Sequence, residues 1–263
     1  MSEFLSRTSQ LLANANESQD GVLDQAAGHM AGALARSHLV HFFGSGHSVL
    51  PTQDAFPRYG GYVGLHPLTD PRVMWHNVLG PGGVKELLWL ERKEGYIERF
   101  LSHQPIRSGD VLVAISHGGR NAAAIETAMY CRERGLPVVA ITSKANYDRP
   151  AEHSSGQRLA DVSDLVIDTG VPIEDALVSV DGWQRPVGGA STIVAMSLVQ
   201  ELVIRTAQKL AEQGIELPTF VSPTVPGASL ESNDRVFEAH EELLAQVRNE
   251  LVEERKGRES VQG

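Results

Sequence analysis

Three short stretches of this chain carry residue types that can hold an anion. Gly44-Ser45-Gly46-His47-Ser48, Ser116-His117-Gly118-Gly119-Arg120-Asn121 and Thr142-Ser143 each follow an apolar run. Glycine lets a backbone approach an anion closely, and the amides that open the next helix point toward it. Hydroxyl and amide side chains add donors, and Arg120 adds a charge-assisted one. Turns favour the same residues for purely local reasons. One such turn therefore says little, but two in tandem, one per strand–turn–helix unit, point to a phosphate. The stretch 44–48 is no dinucleotide fingerprint, since G-x-G-x-x-G is absent, and no P-loop, since no Lys-Ser/Thr follows.

Regular elements must hold those turns in place. The runs HLVHFF, DVLVAIS and PVVAITS, with LVIDTG further on, are short, continuous and β-branched in character. Strands that are apolar without alternation are covered on both faces. AAAIETAMYCRERG between them has a helical pattern closed by Gly135. Strands alternating with helices of this length make right-handed crossovers and a parallel sheet, which is a doubly wound α/β domain. Phe4, Leu5, Leu11 and Leu12, then Val22, Leu23, Ala26, Ala27, Met30 and Leu34, recur at helical spacing with a break at Asp20-Gly21. From Gly188 to Gly214 runs the most apolar helical stretch, expected centrally or at a subunit interface. Residues 66–83, with three prolines, and 144–161 read as long loops of the kind that carry function. The chain then divides into an N-terminal helical arm (1–36), an α/β domain (37–230) and a charged C-terminal helix with a polar tail (231–263).

Composition narrows the partners. The 263 residues suit one large domain with attachments, and a net charge of −10 excludes a general nucleic-acid binder. A small phosphorylated ligand is not excluded, because local loops and not the global field hold it. Cys131 is the single cysteine, so no intrachain disulfide forms and a reducing compartment fits. The opening MSEFLSRTSQ lacks the apolar core of a signal peptide, and no run of about 18 apolar residues spans a bilayer. A cytoplasmic protein without membrane or nucleic-acid partner is expected. No H-x-x-x-H, C-x-x-C or H-E-x-x-H occurs, so neither a metal nor another cofactor is expected. Glu86, Glu91, Glu94 and Glu98, interleaved with Arg92, Lys93 and Arg99, read as a solvated helix face. Glu201, a carboxylate in the most apolar helix, needs a partner and reads as a structural or interface pair.

Taken in order, the turn 44–48, the turn 116–121 and the strand end Thr142-Ser143 resemble the motifs of the sugar isomerase (SIS) domain. His153-Ser154-Ser155-Gly156-Gln157-Arg158, Val187-Gly188-Gly189-Ala190-Ser191-Thr192 and the stretch Phe220 to Gly227 extend that likeness. It is greatest to the stand-alone members grouped with phosphosugar and phosphoheptose isomerases, and it runs from about residue 20 to residue 230. The resemblance implies a five-stranded parallel sheet flanked by helices. It implies phosphate held by Ser116, Gly118, Gly119 and Asn121, with Ser45, Gly46 and Ser48 nearby and Arg120, Thr142, Ser143 and His153 around the sugar.

The implied reaction is aldose–ketose isomerisation of a sugar phosphate through an enediol, which needs a base of raised pKa and an electrophile. Family members carry two glutamates where this chain has Gln53-Asp54, which leaves Asp54 as the carboxylate. The family's S-x-S-G reads Ser116-His117-Gly118-Gly119 here, one hydroxyl fewer. His47 and His117 adjoin the loops and are candidates for the acid or the ring-opening group. A homodimer or homotetramer with shared active sites is implied. The same pocket also suits a non-catalytic sugar-phosphate sensor, or a lyase of the N-acetylmuramate-phosphate etherase kind. Of the other histidines, His29 reads as partnered by a neighbouring helix, and His66 and His76, with Trp75, as part of the proline-rich loop. His240 reads as lying on the solvated face of the last helix.

Overall fold

The apolar runs form β1 (Val40–Gly44), β2 (Leu65–Leu68), β3 (Val111–Ile115), β4 (Val138–Thr142) and β5 (Leu165–Asp168) in the computed structural model, which describes residues 3–74 and 83–262. All neighbours are parallel, in the order β2-β1-β3-β4-β5. Within β3, Val111, Val113 and Ile115 face one apolar layer while Leu112 and Ala114 face the other. That two-residue alternation with both sets buried is why the run reads as continuously apolar.

One layer holds α1 (Glu3–Ser18), α2 (Asp20–Leu34), α3 (Val49–Ala55) and α7 (Ser191–Glu212). Leu23, Ala26, Met30 and Leu34 of α2 meet Val194, Leu198, Val199 and Leu202 of α7 in this layer. The other holds α5 (Tyr96–Leu101) and α6 (Ala122–Arg132), while α4 (Gly83–Leu90) packs on the short turn Pro71–Val73. Burial on both sides of the sheet supplies the driving force, about 25 cal/mol per Å² of apolar surface. Cys131 of α6 is fully buried, which pushes its thiol up to about 12. Helix α8 (Glu231–Gln262) closes the chain and adds Val236 to the first layer, so apolar packing runs through all three sequence segments.

The doubly wound α/β architecture is as expected, and so is the break between α1 and α2. Three details differ from the sequence reading. Residues 65–68 are not loop but the edge strand β2; a four-residue run containing Pro67 shows no strand pattern, and at a sheet edge the missing amide is tolerated. A two-stranded antiparallel hairpin, β6 (Ala176–Val178) with β7 (Val187–Gly189), precedes α7, which starts at Ser191 and not at the glycine pair. His29 is exposed on α2, not covered by a neighbouring helix among the described residues. Trp75 and His76 lie outside the described residues. Among the described residues no helix is long and apolar enough to cross a membrane.

Candidate functional site

The chain leaves β1 toward the edge strand β2 and then crosses back to β3 on the other side of β1. Strand order therefore reverses between β1 and β3, and in open α/β sheets ligands bind outside the strand ends at such a point. Gly44 pairs with Ile115 in register, so the turns 44–48 and 116–121 leave the sheet side by side. Close approach dictates the first glycine: a Cβ on Gly44 would stand 2.2 Å from the Ser48 carbonyl oxygen. Gly119 has φ +60°, and a Cβ there would stand 2.8 Å from Thr142 Oγ1. Any side chain at that position is strained on both counts.

The second turn is pinned from behind. The His117 carbonyl accepts from Ser143 N–H (3.1 Å), Thr142 Oγ1–H (3.3 Å) and Asn146 Nδ2–H (3.2 Å). Ser143 Oγ–H donates to the Val171 carbonyl, and Ser116 Oγ accepts from Gly119 N–H at 3.1 Å. Thr142 and Ser143, both fully buried, thus buttress the turn with their hydroxyls.

Between the turns and the first turn of α7 lies a cleft of about 10 Å³, lined by Ser48, His117, Thr169, Ser191 and Thr192 over an apolar floor. That is room for about one water, so a sugar must part these groups to enter. His117 Nε2 lies 3.3 Å from the Ile173 carbonyl, which can only accept, so Nε2 carries the proton. Its Nδ1 is buried and has no hydrogen-bond partner among the described residues. Asp175 fixes the start of α7: Oδ1 accepts from Ala190 N–H (2.9 Å) and Ser191 N–H (2.6 Å), and Oδ2 from Ser191 Oγ–H (2.9 Å). Only the tertiary contacts reveal Thr169, Ser191, Thr192 and Asp175 as site components, although Ser191-Thr192 already stood in a recognised motif.

Glu91 departs most from the sequence reading. It is only 6% exposed, on the turn after α4, and is not on a solvated face. Its Oε2 accepts from Ser45 Oγ–H at 2.9 Å, its Oε1 lies 2.9 Å from Arg92 Nη1, and its backbone oxygen accepts from Ala123 N–H at the start of α6 (3.0 Å). Burial raises its pKa against the opposing pull of Ser45 and Arg92. Glu86, Glu94 and Glu98 are exposed as expected.

A strap over 149–158 closes the outer side. Glu152 bridges Arg92 (3.0 Å) and Arg120 (3.0 Å), and Arg120 Nε–H also reaches the Pro150 carbonyl at 2.8 Å. His153 Nε2 lies 3.5 Å from Glu126 and 3.9 Å from Glu94, while Glu94 accepts from Ser154 N–H at 2.7 Å. Glu94, Glu126 and His153 bring three ligand atoms within 4.8 Å of one another. Ser154 donors occupy Glu94 and Gly95 N–H occupies Glu126 Oε1, while Glu126 Oε2 is buried with no hydrogen-bond partner among the described residues; the group reads as a latch for the strap.

The remaining candidates scatter. His47 is exposed beside the cleft, and Asn121 precedes α6 without capping it. Asp54 lines a different groove, with Tyr59, Phe220 and Phe237. Both its oxygens lie 2.6 Å from Arg58 Nη1, and Gln200 Nε2–H donates to Oδ2 at 2.9 Å. Glu201 pairs with Arg205 at 2.7 Å, one turn along the same helix. His240 is half-buried and not on a fully solvated face: its ring packs 4.6 Å from that of Phe56, and burial lowers its pKa.

The sequence pattern of the SIS domain matches residues 3–143. This chain belongs to the SIS family. Its relatives include UPF0309 proteins, one from Oceanobacillus iheyensis that is 33% identical over 93% of this chain and 98% of its own length. Another, from Streptomyces coelicolor, is 35% identical over 92% of this chain and 95% of its own. Among solved structures, the SIS fold here is similar to phosphoheptose isomerase from Neisseria gonorrhoeae, with TM-score 0.52, 18% identity, and coverage of 78% of this chain and 95% of that one. The Francisella tularensis phosphoheptose isomerase gives TM-score 0.52 at 14% identity with the same coverage. At such identity these two establish the fold. The matched SIS segment ends at Ser143, so the cleft's α7 wall lies outside it.

Proposed function

We propose that this SIS protein binds a sugar phosphate between the two turns and isomerises it, aldose to ketose, through an enediol. The single observation that carries the reading is the side-by-side exit of two Ser/Gly turns at the β1/β3 reversal, each running into a helix start. The amides of Gly118, Arg120 and Asn121 and the hydroxyls of Ser45, Ser48 and Ser116 supply donors for a dianion. Holding the phosphate remotely positions the sugar carbonyl for reaction. His117, with its unpartnered buried Nδ1, is the imidazole placed to exchange a proton with a sugar oxygen. Exposed Ile193 and Ile204 on α7 and Leu5 on α1 support assembly into a homodimer or homotetramer.

The test is incubation with pentose, hexose and heptose monophosphates in deuterium oxide. Deuterium uptake at the carbon beside the carbonyl, followed by NMR, is the expected result. Thermal stabilisation by a sugar phosphate without uptake instead identifies a sugar-phosphate sensor, and release of lactate from an ether-bearing substrate identifies a lyase.

A further inference from the structure

We propose that Glu91 is the carboxylate that moves the carbon-bound proton in this site. The inference rests on the sugar-phosphate reading above and names the residue that reading lacks. Three observations place the group. Its carboxylate is buried at the point where strand order reverses, on the turn that fills the space between the first Ser/Gly turn and the start of α6. It is hydrogen-bonded to Ser45 of the first turn. A Cβ built on Gly46 would stand 3.9 Å from Oε2, so the carboxylate abuts the middle of that turn with no side chain intervening.

The other nearby carboxylates lie away from the two turns or are engaged by other groups, although Glu126 Oε2 is buried with no hydrogen-bond partner among the described residues. Asp54 faces a different groove and is held by Arg58 and Gln200. Glu152 bridges two arginines on the strap, and Glu94 is held by Ser154. Glu126 accepts from Gly95 N–H and faces His153. Glu91 alone among these combines burial with a contact to one of the two turns. Its surroundings are also chemically suitable. Burial raises the carboxyl pKa, against the opposing pull of the Ser45 hydroxyl and the Arg92 guanidinium.

The step balances without an outside oxidant or reductant. Glu91 takes the proton from the hydroxyl-bearing carbon next to the carbonyl. That C–H pair becomes the enediol double bond, and the carbonyl π pair goes to oxygen, which takes a proton from an acid of the site. On collapse, the former alcohol oxygen loses its proton and becomes the new carbonyl. The double-bond pair recovers the Glu91 proton at the neighbouring carbon. The Ser45 hydroxyl, which bonds Oε2 when no sugar is present, is the group a sugar hydroxyl displaces.

Deuterium exchange with fructose 6-phosphate and ribose 5-phosphate tests this, read beside thermal shift by the same two compounds. Glu91→Gln keeps an acceptor for Ser45 and is expected to lose exchange by about 10²–10⁴-fold while still being stabilised by the sugar phosphate. Exchange by Glu91→Gln within a few-fold of the parent overturns the role of Glu91 and leaves the sugar-phosphate reading standing. Binding without exchange by the unaltered protein overturns the role of Glu91 and the isomerase reading together, and leaves a sugar-phosphate sensor. Should Glu91→Gln not fold, Arg92→Met decides: losing the cation raises the acid limb of the pH–rate profile if Glu91 is the base, and an unmoved limb overturns it.

Discussion

At the amino-terminal end of the sheet, His41, fully buried, sits 3.0 Å from Asp110 through Nε2 and 3.1 Å from His66 through Nδ1. At the carboxyl-terminal end, Glu91 and His117 offer the same two side-chain types. At the first end Asp110 also accepts from Leu39 N–H and Arg107 N–H, each at 2.9 Å, and faces His38 at 3.3 Å. Burial alone raises Asp110, but the bond and charge of His41 together with the two amides outweigh it and hold it below the usual carboxylate range. At the second end burial prevails, Glu91 is raised, and His117 Nδ1 is left unpartnered. A buried polar group with its bonding complete stabilises the fold, whereas one left incomplete costs stability and keeps its lone pair for a ligand.

This contrast sets the order of expected effects. Asp110→Ala strips several buried donors of their acceptor and is expected to cost about 3–5 kcal/mol in denaturant unfolding. Exchange per folded molecule should stay unchanged; its loss would mean that the two ends are coupled. His117→Ala should do the reverse, leaving the melting temperature within a degree or two while slowing deuterium exchange by about 10²-fold or more. If that variant proves as destabilising as Asp110→Ala, His117 is structural and the contrast fails. Gly119→Ala should cost about 1–3 kcal/mol, from its left-handed backbone and its contact with Thr142, and weaken sugar-phosphate binding in calorimetry.

The pH response sharpens the comparison further. Burial first, then the charges of His41 and His240, bring His66 from 6.5 down to about 3, with Asp110 opposing and Arg248 adding. Its folded value lies below the unfolded one, so the unfolded chain binds the extra proton between them. Stability should fall as pH drops from about 6.5 toward 3, and His66→Gln should flatten that slope. Asp110 acts in the same sense at lower pH, whereas Glu91, with its raised value, loses an unfavourable charge on acidification. Unfolding free energies of Glu91→Gln across this range should therefore show a steeper acid-side loss than those of the parent. Arg120→Ala should have the smallest effect, about 1 kcal/mol or less, seen as faster amide exchange confined to 150–158.

Much of this was legible in the residues. Strand runs, turn glycines and helix periodicity are local signals, and they located both Ser/Gly turns and their order. The Pro67 strand escaped notice because edge pairing needs a partner that a four-residue run cannot announce. Glu91 was misread because i,i+4 charge spacing looks the same whether the helix continues or, as here, ends at Leu90 and turns the next side chain inward. The resemblance pointed to Asp54 by position in a motif, but position does not say that Arg58, four residues on, takes up the carboxylate.

The amino-acid order by itself determined the layered α/β architecture, the family and the two turns, since each depends on residues close together in the chain. Only the tertiary structure decided which carboxylate is buried beside a turn, which imidazole nitrogen is buried without a partner among the described residues, and which hydroxyls merely prop the backbone. Those properties depend on desolvation and on partners brought from far along the chain, as with Ser45 and Glu91, 46 residues apart. Neither the burial of Glu91 nor its bond to Ser45 is encoded in the short stretch around either residue.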